Sequence, residues 1–215
     1  MAKLAPSILS CDFTRLGEEI KLMEKNNVPY VHVDVMDGMF VPNISIGVPV
    51  VESLRKITDL VLDVHLMIVD PERYVEAFAR AGADIINIHF EACKDCEACL
   101  KQIKGLGKKS ALTIKPKTSY KEILKLLPLV DMVLVMSVEP GFGGQSFIES
   151  SLDNVRGLAQ YKRKNNMTFE IEIDGGVNLN NVAEIIEAGA EVIVAGSAVF
   201  KGNADENMKK FQGLM

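Results

Sequence analysis

The chain has 215 residues, 48% hydrophobic and 25% charged, which is enough for one large core and inconsistent with disorder. A net charge of -5 and a pI near 5.3 argue against a nucleic-acid or anionic-membrane surface, because those partners select basic faces. No apolar run approaches the roughly 20 residues needed to span a bilayer, and MAKLAPSILS holds no run of signal-peptide length, so a cytoplasmic chain with reduced cysteines is expected.

In chain order, short β-rich runs alternate with longer helical ones, and no Gly/Ser/Pro-rich linker interrupts them. The strands are predicted at 3–9, 30–37, 60–68, 84–91, 109–115, 132–138, 169–174 and 192–198, with helical patterns at 16–24, 71–81, 96–103, 120–127, 151–164 and 179–188. Asp70 before Pro71 reads as an N-cap with proline in the first turn, while Gly82 and Gly189 stand where helices close in a left-handed residue. The phrases AGAD (81–84) and AGAE (188–191) mark the same helix-to-strand junction twice. Eight βα units with right-handed crossovers predict a parallel α/β sheet closed as a single (β/α)₈ TIM barrel over residues 1–215, with an open doubly wound sheet as the alternative.

The stretch VHVDVMDG (31–38) alternates apolar and polar residues, so Val31, Val33 and Val35 share one strand face and His32, Asp34 and Met36 the other. Taken alone, it fits an Asp–His pair at a strand end as well as a metal site. The pattern recurs, however. LVLDVHLMI (60–68) sets Asp63, His65 and Met67 on one face, IINIHFE (85–91) sets Asn87, His89 and Glu91, and FEIEID (169–174) sets Glu170, Glu172 and Asp174. In a closed barrel the outer face is covered by helices, so these polar residues must point inward, with the functional ones at the carboxyl ends. The inner rim then presents His32, Asp34, His65 and Asp174, two imidazoles and two carboxylates competent for a divalent Zn, Fe, Mn or Co ion. His89 and Glu91 are inward but outside that set, and read as hydrogen-bonded barrel residues. Asp37 and Asp63 read as turn-forming or ligand-supporting groups, and Lys115 as a partner for an interior glutamate.

Glycine-rich segments follow the last three strands: EPGFGGQSF (139–147), DGGVN (174–178) and AGSAVF (195–200). Backbone N–H groups in such turns bind phosphate without positive side chains, and the loops after strands seven and eight are the usual phosphate position in these barrels.

The segments APSILS (5–10), HVDVMDGMFVPN (32–43), DVHLMI (63–68), VMSVEPGFGGQSF (135–147), IDGGVN (173–178) and VAGSAVF (194–200) together resemble the signature segments of the ribulose-phosphate 3-epimerase family, in register from about residue 4 to 201. The resemblance implies one divalent metal ion per chain on His32, Asp34, His65 and Asp174, with Asp34 and Asp174 also serving as acid and base. It implies substrate contacts from Ser7 and His65, a pocket lined by Met36, Met67 and Met136, and phosphate held at Gly141, Gly143, Gly144, Gly175, Gly176, Gly196 and Ser197. The implied reaction interconverts D-ribulose 5-phosphate and D-xylulose 5-phosphate by two-base proton transfer at C3 through a metal-stabilised enediolate, in the pentose phosphate pathway. Its partner is a small ketose phosphate, and a homo-oligomer is expected.

The alternatives are 3-epimerisation of allulose 6-phosphate, disfavoured by DGG rather than DGS at 174–176, and a non-catalytic phosphosugar-binding barrel, for which an acid and a base would be superfluous. Two departures stand out. Ser146 replaces a lysine frequent in the family, and the spacing of Cys93, Cys96 and Cys99 resembles part of an iron–sulfur motif without the fourth cysteine nearby.

Overall fold

The computed structural model describes residues 1–215. Its eight strands are β1 (Lys3–Pro6), β2 (Tyr30–Met36), β3 (Val61–Met67), β4 (Ile85–His89), β5 (Lys109–Ile114), β6 (Met132–Met136), β7 (Glu170–Asp174) and β8 (Val192–Ala195). All pair in parallel in the order β1-β8-β7-β6-β5-β4-β3-β2, and a parallel bridge between Ser7 and His32 closes the ring. The helices are α1 (Leu16–Lys25), α2 (Val48–Arg55), α3 (Val75–Ala81), α4 (Cys96–Gly105), α5 (Ser151–Lys164), α6 (Val182–Ala188), α7 (Ser197–Phe200) and α8 (Ala204–Gln212). The expected TIM barrel is what forms.

Strand parity builds two cores. Outward residues such as Val31, Val33, Val64, Ile86, Ile88, Ile171 and Ile173 pack under the helices with Ile20, Leu54, Phe78, Leu100 and Leu158, each fully buried apolar side chain contributing about 1.5–3 kcal/mol. Inside the barrel, Ala5, Tyr30, Ile85, Ala111, Met132, Val192 and Val194 fill the lower end. Toward the carboxyl ends the interior turns polar, with Asp63, Asn87, Thr113 and Glu172 fully buried. That polar layer is the floor beneath the site.

Several local expectations need correction. Most strands end earlier than predicted; at β2 the Asp37 carboxylate accepts the N–H groups of Met39 and Phe40 at 2.8 and 2.9 Å, and the strand stops at Met36. Segment 120–127 is not an α-helix but two 3₁₀ turns, Tyr120–Ile123 and Leu127–Leu129. The Ser119–Glu122 capping box closes the first turn, and Pro128 cannot donate to continue it. Segment 71–81 likewise splits into a 3₁₀ turn, Pro71–Arg73, and α3. Asp70 does stand at the N-cap of that turn with Pro71 next, but its side chain makes no capping bond; the residue is left-handed (φ 48°) and pairs with Lys94 at 2.9 Å. Segment 179–188 becomes helical only from Val182, after side-chain turns at Asn178 and Asn181. Gly82 and Gly189 do close their helices left-handed, at φ 107° and 115°.

Candidate active site

The β2–β3 register assembles the polar cluster. His32 lies opposite Asp63, Asp34 opposite His65 and Met36 opposite Met67, while β6 sets Met136 opposite Asp174. The ligand atoms of His32, Asp34, His65 and Asp174 all fall within 4.8 Å of one another. His32 Nε2 is 3.3 Å from Asp34 Oδ1, His65 Nδ1 is 3.1 Å from the same oxygen, and the two ring nitrogens are 3.3 Å apart. Behind them, His32 Nδ1 meets Asp63 Oδ2 at 2.6 Å, so that in the neutral imidazole the proton sits on Nδ1 and the lone pair on Nε2, facing the cluster. Ser7 Oγ donates to Asp34 Oδ2 at 2.5 Å.

The electrostatics are those of a site short of positive charge. Burial pulls the His32 pKa down, but Asp34 and Asp63 on either side override it and raise the pKa well above the ordinary value. Asp34 stays well below the carboxylate range despite burial, because His32 and His65 hold its charge. Asp174 is pushed up to about 6, first by burial and then by the charge of Asp34. Burial and Asp63 likewise raise Glu172, and Glu172 Oε1 and Asp63 Oδ1 have no hydrogen-bond partner. The only ion-pair partners of this buried acidic group are imidazoles; no lysine or arginine reaches it. Converging nitrogen and oxygen lone pairs with excess buried negative charge form a donor set that suits a divalent cation.

Above the cluster opens a cavity of about 290 Å³. Its walls include Ser7, Asp34, Met36, Met67, Met136 and Asp174, and at its mouth stand Gly141, Gly143, Gly144, Gly175, Gly176, Gly196 and Ser197. His32 and His65 are fully buried and do not line it. The loops fit closely: a Cβ on Gly175 (φ 121°) would lie 2.5 Å from Val138 Cγ2, and one on Gly196 the same distance from Ser10 Oγ.

Sequence reasoning missed four supports. Ser45 Oγ donates to the Asp34 carbonyl at 2.6 Å and accepts Met36 N–H at 2.9 Å, clamping the end of β2. Ser137 Oγ bonds the carbonyls of Asp174 and Gly175 at 2.9 and 2.7 Å. Asn43 donates to Gly141 O at 2.8 Å, tying two mouth loops together, and Lys201 is the one cationic residue on the cavity wall. The first three act on backbone carbonyls, which leave no signal in sequence spacing; Lys201, just past the last glycine-rich segment, could have been found. Lys115 departs from expectation: its backbone N–H, not its ammonium, meets Glu91 at 2.8 Å, and its Nζ sits 4.0 Å from the Phe40 ring centroid. Cys93, Cys96 and Cys99 are free thiols, the last two buried, and the Cys96 thiol donates to the Phe90 carbonyl at 3.5 Å.

A parallel eight-stranded barrel with a buried two-histidine, two-aspartate donor set beneath glycine-rich loops defines a class of barrel proteins built to hold a small anionic ligand over a metal-competent centre. Residues 3–200 match the ribulose-phosphate 3 epimerase family, and the chain belongs to that family. It is 52% identical over 199 residues to ribulose-phosphate 3-epimerase of Synechocystis sp., covering 92% of this chain and 86% of that one. It is 50% identical over 208 residues to ribulose-phosphate 3-epimerase of Bacillus subtilis, covering 95% and 94%. Among solved structures, KGPDC from Streptococcus mutans shares the fold at a TM-score of 0.73 and 15% identity, covering 100% of this chain and 97% of that one.

Proposed function

We propose that this chain is a metal-dependent epimerase that interconverts D-ribulose 5-phosphate and D-xylulose 5-phosphate. The observation that carries the reading is that Asp34 on β2 and Asp174 on β7 both face one cavity, three strands apart around the ring. Inverting C3 of a ketose phosphate requires a base on one face of the carbon and an acid on the other. Two carboxylates on separated strands meet that need, with Asp34 fixed by the Ser7 hydroxyl and Asp174 by the Ser137 grip on its carbonyl.

His32, Asp34, His65 and Asp174 would hold a divalent ion, Zn, Fe, Mn or Co. Such an ion supplies Lewis-acid stabilisation to the negative charge that develops when the C3 proton leaves. The rest falls to the chain. Met36, Met67 and Met136 wall the reacting carbon from water without adding charge. Backbone N–H groups around Gly141, Gly143, Gly144, Gly175, Gly176, Gly196 and Ser197 bind the phosphate, and Lys201 adds a cation at that end. Free cysteines accord with a cytoplasmic protein. Met39 and Ile44, both 77% exposed on the loop after β2, accord with a homo-oligomer.

The test is a chelated preparation assayed against ribulose 5-phosphate and allulose 6-phosphate side by side. Activity on the pentose should vanish on chelation and return with one divalent ion per chain. Full activity in verified metal-free protein would refute the metal role, and preference for the hexose the substrate.

A further inference from the structure

One buried element of the barrel plays no part in this reaction. His89, on β4, is fully buried with its Nε2 2.9 Å from His65 Nε2. The ring centroids are 5.0 Å apart with planes 26° apart, about 2 Å more than the N···N contact, so the rings meet edge to edge through those nitrogens rather than face to face. A contact of this length between two nitrogens requires one proton between them. On its far side, His89 Nδ1 lies 3.3 Å from Glu91 Oε2. Glu91 is fixed through its other oxygen, which accepts Lys115 N–H at 2.8 Å and the Thr118 hydroxyl. Phe40 packs on His89, 4.8 Å from it centroid to centroid.

The proton positions follow from the outside in. An ionised carboxylate only accepts, so His89 carries its proton on Nδ1. A neutral imidazole then has a bare Nε2, which must accept from His65 Nε2–H. His65 is left with a bare Nδ1, the atom that faces Asp34 and His32. We infer that His89 is a positioning residue that fixes the tautomer and ring orientation in which His65 presents Nδ1 to the metal centre, with Glu91 setting the tautomer of His89. The inference rests on the metal reading above. It makes the two imidazoles complementary, His32 backed at Nδ1 by Asp63 and His65 backed at Nε2 by His89.

The test reads metal affinity and proton position rather than turnover. By competition with a chromophoric chelator, His89→Leu should bind zinc about 10- to 100-fold more weakly than wild type, the usual effect of removing a ligand's hydrogen-bond partner. His89→Gln, whose side-chain oxygen can accept from His65, should recover most of the loss. Long-range ¹H–¹⁵N spectra of zinc-loaded wild-type protein should find His89 protonated on Nδ1 alone, a measurement independent of whether the Leu variant folds. A His89 protonated on Nε2, a Leu variant with wild-type affinity, or a Gln variant as weak as Leu would each overturn the inference while leaving the metal centre standing. A wild-type chain that takes up no zinc, iron, manganese or cobalt would instead overturn the metal reading, and the inference with it.

Discussion

Gly176→Ala offers the sharpest check on how the phosphate is held. Gly176 sits at φ 65°, and a Cβ there would lie 2.5 Å from Phe147 N, 2.7 Å from Phe147 Cα and 3.0 Å from Gln145 O, all backbone atoms of the loop after β6. That backbone would have to retreat by about 0.9 Å to restore an ordinary 3.4 Å contact. A shift of this size carries an amide from the usual ~2.9 Å of an N–H···O bond out of bonding range. One charge-assisted hydrogen bond to phosphate is worth ~1.5–3 kcal/mol, so KM for ribulose 5-phosphate should rise about 10- to 100-fold at 1.4 kcal/mol per factor of ten. The loss is of binding common to ground and transition states, so kcat should change little. Gly107→Ala is the control, since Gly107 follows α4 away from the cavity, at φ 73°, and has no atom within 4 Å of a Cβ. It bears the left-handed cost, ~1–2 kcal/mol, without the crowding. Steady-state kinetics on both variants decide the matter: an unchanged KM in Gly176→Ala, or an equal rise in Gly107→Ala, would show that the two loops do not jointly grip the phosphate.

Asp174→Asn keeps an oxygen for the metal but removes one proton-transfer group, and epimerisation should fall ~10²- to 10⁴-fold. Exchange of the C3 hydrogen with D₂O should continue for one epimer through Asp34; wild-type epimerisation in the metal-loaded variant would sink the two-base assignment. A separate expectation concerns acid stability. Burial opposes ionisation of Glu91, but hydrogen bonds from His89, Thr118 and the Lys115 amide override it and bring its pKa down to about 2 from 4.5. A depressed carboxylate stabilises the fold above its unfolded pKa and loses that contribution as pH falls through the folded value. The stability difference between wild type and Glu91→Gln, measured by urea unfolding, should therefore be largest above about pH 4.5 and shrink toward pH 2; a difference constant with pH would refute the mechanism.

Much of the barrel was legible because its strands carry strict alternation, and a polar residue on an inward parity has nowhere else to go. His32, Asp34, His65 and Asp174 could be grouped from parity and strand ends alone, and the structure brings their ligand atoms within 4.8 Å. Element ends were less legible, since they depend on which side chain reaches a given amide, as Asp37 does. Helix α2 passed unread although Gly47, Pro49 and the buried Val51 and Leu54 mark it. At 120–127 the apolar spacing mimicked a helix, but the Ser119–Glu122 capping box, Pro128 and the Asn154 side chain, which accepts Tyr120 N–H at 2.9 Å, accompany 3₁₀ turns instead. The pairing of His89 with His65 was out of reach because it depends on ring rotation, which no sequence spacing specifies.

The order of residues on β2 and β3 explains how a barrel interior tolerates so many charges. β2 reads His-Val-Asp and β3 reads Asp-Val-His, so the parallel register sets each imidazole beside a carboxylate: His32 beside Asp63, and Asp34 beside His65. Sliding β3 by two residues would preserve every inward parity and every apolar contact type, yet it would pair His32 with His65 and leave Asp63 without an imidazole. A buried carboxylate stripped of its partner costs ~3–5 kcal/mol, so the charges themselves penalise that slip, which the valine pattern alone cannot distinguish. The same matching turns His32 Nε2, His65 Nδ1 and Asp34 Oδ1 toward one another at the carboxyl end. The polar pairs that hold the strands in register are therefore also the groups that aim the donor set at the cavity, and neither role can be altered without disturbing the other.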